Sequence, residues 1–187
     1  MTALVAKGGD RQDCNSSNDE VKIIGCSAVI KAGKESIKNL ANAHYNRGNA
    51  YSRRGEFDLA IADYSKALAL NSKHAEAYQM RGNAYEDMGD YEQSIADYSK
   101  AIALRPRNAA TYYNRGNVYY RQANYDRAIA DYGKAIALQP DDADTYCNRG
   151  VAHEEQGNKQ KAAEDFRKAL ALRPGHELAT RGLNRVR

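Results

Sequence analysis

The sequence predicts an all-α protein built as a tandem array of antiparallel helical hairpins, on three observations. A step of 34 residues separates four glycines: Gly48, Gly82, Gly116 and Gly150. The same step separates four aspartates: Asp63, Asp97, Asp131 and Asp165. Within each step, apolar residues recur at the i, i+3, i+4, i+7 spacing of a helix. One such hairpin cannot bury its own apolar face, so the units must stack on one another.

The step divides the chain into regular units. Four full repeats are predicted at 41–74, 75–108, 109–142 and 143–176. Each should hold two helices of about 14 residues, each about 20 Å long. In the second repeat the helices are separated by a turn in which Gly89 suits a left-handed helix end and Asp90 can cap the next helix. A proline near the end of a unit, such as Pro106, prevents the second helix from continuing.

The flanking segments, 1–40 and 177–187, are predicted as partial units. Residues 20–32 have the pattern of a second helix, whereas the polar, turn-rich stretch 8–18 predicts a missing or irregular first helix. At the other end, Ala179, Leu183 and Val186 share one helical face. The last segment is therefore expected to be a helix that caps the array.

Several positions of the unit together carry a family resemblance. Counted from the first residue of each unit, positions 4 and 11 are Tyr except for His44 and His153, and position 32 is Pro except for Ser72. Position 8 is Gly, position 20 is Ala or Ser, position 24 is aromatic and position 27 is Ala in every unit. This pattern resembles the tetratricopeptide repeat over residues 41–176. The resemblance implies a right-handed superhelical solenoid of four full repeats, with an N-terminal half repeat and a C-terminal capping helix. It departs from the family at position 7, where Arg replaces the usual Leu.

Composition excludes several functional classes. With 28 Lys and Arg against 24 Asp and Glu, the net charge of +4 is too mild to indicate a nucleic-acid partner. No apolar run approaches the roughly 18 residues of a membrane span. Residues 1–10 lack the apolar stretch of a secretory signal, so any leader is expected to have been removed. The four histidines are scattered and form no metal-ligand or triad spacing, which predicts no cofactor, no small-molecule substrate and no enzymatic activity.

The two N-terminal cysteines leave two interpretations open. Cys14 and Cys26 form no Cys-x-x-Cys motif and have no histidines at zinc spacing, so they are either a disulfide or a pair of buried free thiols. The segment is similar to exported bacterial members of the family with two cysteines before the first repeat. That resemblance implies a disulfide and a periplasmic or exported location, with the cytoplasm as the alternative.

An arginine and an aspartate recur sixteen residues apart in every repeat. Arg47, Arg81, Arg115 and Arg149 precede the four repeated aspartates at that distance. Sixteen residues is the separation of residues that face each other across an antiparallel hairpin. We therefore predict four ion pairs that stabilise the hairpins.

Asparagines and three tyrosines are the candidate binding residues. Position 6 carries Asn46, Asn114 and Asn148, and position 9 carries Asn49, Asn83 and Asn117. Asn is a mediocre helix former, and its amide can match both the carbonyl and the amide of an extended peptide. The resemblance implies that these positions face the concave surface, together with Tyr45, Tyr113 and Tyr120. The alternative is that duplication repeated the asparagines and left their amides solvated.

The predicted function is a scaffold that binds an extended peptide or a partner protein in the concave groove. One alternative is a structural protein that self-associates weakly through incompletely capped ends. Single-stranded RNA binding is disfavoured by the 34-residue step and by acidic residues expected on the groove: Glu76, Glu86, Asp87, Asp144, Glu154 and Glu155.

Overall fold

The predicted all-helical fold is confirmed. A computed structural model describes residues 8–187, and this part of the chain contains eleven α-helices and no strand. Residues 1–7, on which part of the expectation about a secretory signal rests, lie outside the described residues. The helices are α1 (Gly8–Asp13), α2 (Asp19–Ala32), α3 (Ile37–Arg53), α4 (Phe57–Leu70), α5 (Ala75–Asp87), α6 (Tyr91–Leu104), α7 (Ala109–Arg121), α8 (Tyr125–Leu138), α9 (Ala143–Glu155), α10 (Lys159–Leu172) and α11 (Glu177–Val186).

The helices form two compact units. The amino-terminal unit ends at Leu104 and contains α1–α6, and the carboxy-terminal unit runs from Arg105 to Arg187 and contains α7–α11. The turn between α5 and α6 is as predicted. Gly89 has φ 79°, and the side chain of Asp90 accepts a hydrogen bond from the backbone N–H of Gln93 at 3.3 Å.

Close contact between the two helices of a hairpin depends on the glycine at position 8. A Cβ on Gly48, Gly82, Gly116 or Gly150 would lie 2.8–2.9 Å from the nearest ring carbon of the aromatic residue at position 24. Those rings are at most 1% exposed: Tyr64, Tyr98, Tyr132 and Phe166. Because the rings fill the interior completely, any side chain at position 8 would push the helices apart.

The four predicted Arg–Asp pairs are all present. Each arginine donates two hydrogen bonds, from Nε and Nη2, to its aspartate at 2.7–2.9 Å. Arg81 also lies 5.8 Å and 5.9 Å from the ring centres of Tyr78 and Tyr85, at positions 4 and 11. A leucine could make neither the ion pair nor the cation–π contacts, which accounts for Arg at position 7.

The arginines also join successive hairpins. Arg47 donates from Nη1 to Ser27 on α2, and Arg81 donates from Nη1 to Ser65 on α4, each at 2.8 Å. Burial alone would raise the pKa of Asp63, but hydrogen bonds from Arg47 and His44 hold it below its usual value. The charge of this carboxylate is therefore part of the folded structure at neutral pH.

The amino-terminal half repeat differs from expectation in one respect. Residues 8–13 form the short helix α1, so the first helix of this half repeat is present but only six residues long. Cys14 follows α1, and the predicted disulfide joins it to Cys26 on α2. Cys26 is fully buried and packs with Val29 and Ala43. The disulfide ties the end of this short helix covalently to α2.

Helix α3 opens the first full repeat, and α11 follows the last one. Helix α3 begins at Ile37, one turn before residue 41, because Ser36 caps it by accepting from the backbone N–H of Asn39 at 3.2 Å. At the other end α11 buries Ala179, Leu183 and Val186 against the last hairpin, as expected of a capping helix.

Candidate functional site

The candidate residues lie on one face of the first helices of the hairpins, α3, α5, α7 and α9. We call this the first-helix face and describe it separately in each unit. It presents positions 6 and 9, with the tyrosines at positions 5 and 12. Hydrogen bonds within the protein engage most of these side chains, and they decide which groups remain available to a partner.

The asparagines at position 9 have a partner inside their own hairpin. The side-chain oxygens of Asn49, Asn83 and Asn117 accept hydrogen bonds from the hydroxyls of Tyr64, Tyr98 and Tyr132, at 2.7–2.8 Å. The fourth repeat has Val151 at position 9 and Phe166 at position 24, so asparagine occurs where the buried ring carries a hydroxyl. The amide oxygens therefore satisfy buried donors, a role that sequence reasoning missed.

The asparagines at position 6 differ among repeats. Asn46 donates from Nδ2 to Asn15 Oδ1 at 3.1 Å and to the Cys14 carbonyl at 3.4 Å, so it holds the segment after α1 in place. Asn148 donates from Nδ2 to the Tyr113 hydroxyl at 2.9 Å and to Asn117 Oδ1 at 3.3 Å. Asn114, half-buried on α7, also has a partner.

The three candidate tyrosines have different environments. The Tyr45 ring lies 4.7 Å from the His74 ring and packs on the cluster of Ala67 and Leu68, so most of it serves packing. Burial raises the pKa of Tyr113, whose hydroxyl accepts from Asn148. Tyr120 is half-buried, with its ring 5.5 Å from that of Tyr125. Tyr113 lines a small cavity of about 110 Å³, and Tyr120 borders a larger one.

This cavity, on the first-helix face of the carboxy-terminal unit, has a volume of about 550 Å³. It brings together three of the candidate residues, Asn117, Tyr120 and Asn148. The rest of its lining is Arg121, Tyr132, Val151, Glu155, Leu178 and Arg185. Leu178 and Arg185 come from α11, which the sequence pattern predicts only as a cap. Their spacing on α11 matches positions 2 and 9 of a first helix, and that signal could have placed them here.

Ion pairs from the C-terminal segment neutralise much of the acidic surface of α9. Arg185 donates two hydrogen bonds to Glu154, both at 2.8 Å. Arg173 likewise donates two to Asp144, also at 2.8 Å. These bonds lower the pKa values of both carboxyls, which stay ionised and paired. Glu155, exposed at the cavity, forms no ion pair with any residue in 8–187.

A second, smaller cavity of about 200 Å³ lies in the amino-terminal unit beside the disulfide. Four asparagines contribute to its lining: Asn15, Asn39, Asn42 and Asn46. Among the described residues, no cluster of three or more His, Cys, Asp or Glu could hold a metal ion. No helix between residues 8 and 187 is long and apolar enough to cross a membrane.

Comparison with known families identifies the repeats. Family models of the tetratricopeptide repeat match residues 41–74, 64–96, 82–123 and 113–177. Together these matches run through all four predicted repeats.

Solved structures with the same fold include proteins that bind peptides. A structure of MamA is 28% identical, with a TM-score of 0.81, and the alignment covers 90% of this chain and 95% of MamA. The first TPR of Spaghetti (RPAP3), bound to the HSP90 peptide SRMEEVD, is 28% identical with a TM-score of 0.59, covering 62% of this chain and 92% of that domain. YrrB, described as a TPR protein with an unusual peptide-binding site, shares the fold at 20% identity, with a TM-score of 0.78 and coverage of 89% and 84%.

One curated relative matches part of the chain. The lipoprotein NlpI homolog of Haemophilus influenzae is 41% identical over 59 residues, which are 32% of this chain. The matched stretch spans only 19% of that relative's length.

Proposed function

The chain belongs to the tetratricopeptide repeat family, and from that premise we propose that it is a non-enzymatic protein-interaction scaffold that binds an extended peptide on its first-helix face. The observation that carries the proposal is the cavity of the carboxy-terminal unit, where Asn117, Tyr120 and Asn148 meet. These are three of the residues whose types and positions suit a peptide guest. The Spaghetti domain, which has the same fold and was solved with a bound peptide, also supports the proposal.

Asn148 is the side chain best suited to hold a peptide backbone. Its Nδ2 is used by Tyr113 and Asn117, but no donor from residues 8–187 reaches its Oδ1. A carbonyl oxygen in this position can accept a backbone N–H from a guest. First helices about 10 Å apart place α7, α9 and α11 over roughly 20 Å. That length suits about six residues of an extended peptide at about 3.4 Å per residue.

We further propose that the protein acts in an exported or periplasmic setting. The Cys14–Cys26 disulfide supports this location, because disulfides persist in oxidising compartments. The partial likeness to a lipoprotein points the same way.

The peptide proposal is tested by titrating the full chain with a library of labelled octapeptides and following fluorescence anisotropy. Asn148→Ala should weaken the tightest hits about fivefold, as expected for loss of one hydrogen bond of about 1 kcal/mol. Asn184→Ala is the matched control, because Asn184 is exposed on α11 and does not line the cavity.

Two results would defeat the proposal. One is a library in which no octapeptide binds the wild-type chain. The other is an Asn148→Ala variant that melts normally and keeps full affinity for every hit.

A further inference from the structure

Glu155 is the one carboxylate in the lining of the cavity of the carboxy-terminal unit, and it forms no ion pair in the described chain. The guanidinium of Arg185 is near enough to feel Glu155, but its hydrogen bonds go to Glu154. Arg121 already takes part in an interaction of its own. Within the described chain the carboxylate of Glu155 therefore makes no hydrogen bond or ion pair, although it lines the cavity.

The ring of Tyr120 lines the same cavity as this carboxylate. Burial raises the pKa of the Tyr120 hydroxyl, and the negative charge of Glu155 raises it further. A cation placed between them would meet a carboxylate and the negative face of a ring at once. This combination suits a basic group better than either residue alone.

The same cavity offers apolar surface for a long side chain. Val151 stands at position 9 of its helix, where the other repeats have asparagine. Leu178 is 44% exposed on α11. The other exposed residues near it, Glu177, Thr180 and Arg181, are polar, so Leu178 is an apolar side chain on a polar surface. Both residues line the cavity. Lysine and arginine bury their aliphatic stems on such surfaces while the charged end stays at the rim.

We propose, building on the proposed function, that this cavity selects a lysine or arginine side chain of the bound peptide. The stem packs on Val151 and Leu178, and the charged end pairs with Glu155 beside the Tyr120 ring. An uncharged aliphatic side chain would cover Glu155 without compensating its charge, which costs free energy. An acidic side chain would meet Glu155 with the same sign of charge. The order of preference is therefore basic, then aliphatic, then acidic.

The test starts from the tightest-binding octapeptide of the library. Each of its positions in turn is replaced with lysine, norleucine or glutamate, and affinity for the full chain is measured by anisotropy. Norleucine keeps the stem of lysine and lacks its charge. At one position lysine should bind at least about fivefold tighter than norleucine, as one ion pair plus one cation–π contact would give. High salt should reduce that difference.

Glu155→Gln should abolish the preference for lysine, because lysine loses its ion pair and norleucine no longer covers an uncompensated charge. Glu92→Gln, an exposed carboxylate on α6 that does not line the cavity, is the matched control and should keep the preference. If peptides bind but lysine and norleucine are equal at every position, this inference is overturned and the proposed function stands. It is also overturned if Glu155→Gln keeps the preference. A library without any hit would overturn both.

Discussion

Tyr64, Tyr98 and Tyr132 each carry a hydroxyl into the interior of a hairpin, and each donates to the asparagine 15 residues earlier. A buried hydroxyl without an acceptor costs about 1–3 kcal/mol, so the asparagine is needed where the ring is tyrosine. The fourth repeat has neither, since Phe166 stands opposite Val151. The sequence contained this covariation between positions 9 and 24, but neither of the two interpretations of the asparagines, as ligand contacts or as solvated duplicates, used it.

This pairing predicts a rescue by double substitution in the first repeat. Asn49→Val should destabilise the protein by about 1–2 kcal/mol, because the hydroxyl of Tyr64, which is 0% exposed, loses its acceptor. Adding Tyr64→Phe recreates the pair of the fourth repeat and should recover most of the loss. Urea unfolding of the single and double variants measures both effects.

The comparison that matters is between the two variants. A double variant less stable than Asn49→Val would contradict the pairing, since removal of both partners should be nearly neutral. The same result bears on binding experiments, because alanine at position 9 disturbs the hairpin as well as any ligand contact. Asn148 is for that reason the better position at which to probe peptide binding.

At the scale of helices, the periodic elements were predictable and the irregular ones were not. The 34-residue step and the turn at Gly89 place the hairpins from α3 to α10, because each repeat supplies the same packing surface. Helix α1 escaped prediction because its six residues are polar and its position depends on the Cys14–Cys26 bond. The cavity escaped too, since Leu178 and Arg185 reach it only after α11 docks on α9 and α10.

Docking of α11 depends on Gly182, which yields a second prediction. A Cβ on Gly182 would lie 2.5 Å from Cζ of Phe166, a ring that is 0% exposed and cannot move aside. Gly182→Val should therefore lower stability by about 2 kcal/mol through overpacking. Thermal unfolding followed by circular dichroism measures the change.

Gly175→Val provides the control for this substitution. A Cβ on Gly175, in the turn before α11, would meet nothing within 4 Å. The melting temperature of the Gly175→Val variant should stay close to that of the wild type. Equal melting temperatures for Gly182→Val and wild type would mean that α11 does not pack against Phe166 as described.

For the whole molecule, the small net charge bears on the choice of partner, and the disulfide near the amino terminus bears on stability. A net charge of +4 on 187 residues gives no strong field to attract nucleic acid, so the proposed peptide recognition depends on local groups such as Glu155. The disulfide instead links stability to the redox state of the compartment. Self-association through the ends of the array stays a prediction, for which light scattering over a range of concentrations is the direct measurement.

The redox link gives the last prediction. Cys14 and Cys26 are 12 residues apart in sequence, and closing a loop of that size stabilises a protein by about 3 kcal/mol in the chain-entropy model. Without the bond, α1 should come away from the buried cluster of Cys26, Val29 and Ala43. Dithiothreitol should therefore lower the melting temperature of protein produced in an oxidising compartment. The Cys14→Ser/Cys26→Ser variant should melt at the lower temperature with or without the reductant.

Thiol counting by mass spectrometry separates this effect from others. After denaturation without reductant, protein from an oxidising compartment should take up one alkylating group, at Cys147. That thiol is buried, and burial raises its pKa to about 11, so it should resist alkylation until the protein unfolds. Three alkylated cysteines in protein from the oxidising compartment would contradict the disulfide. Equal melting temperatures with and without dithiothreitol would show that the bond forms but does not hold the amino-terminal unit together.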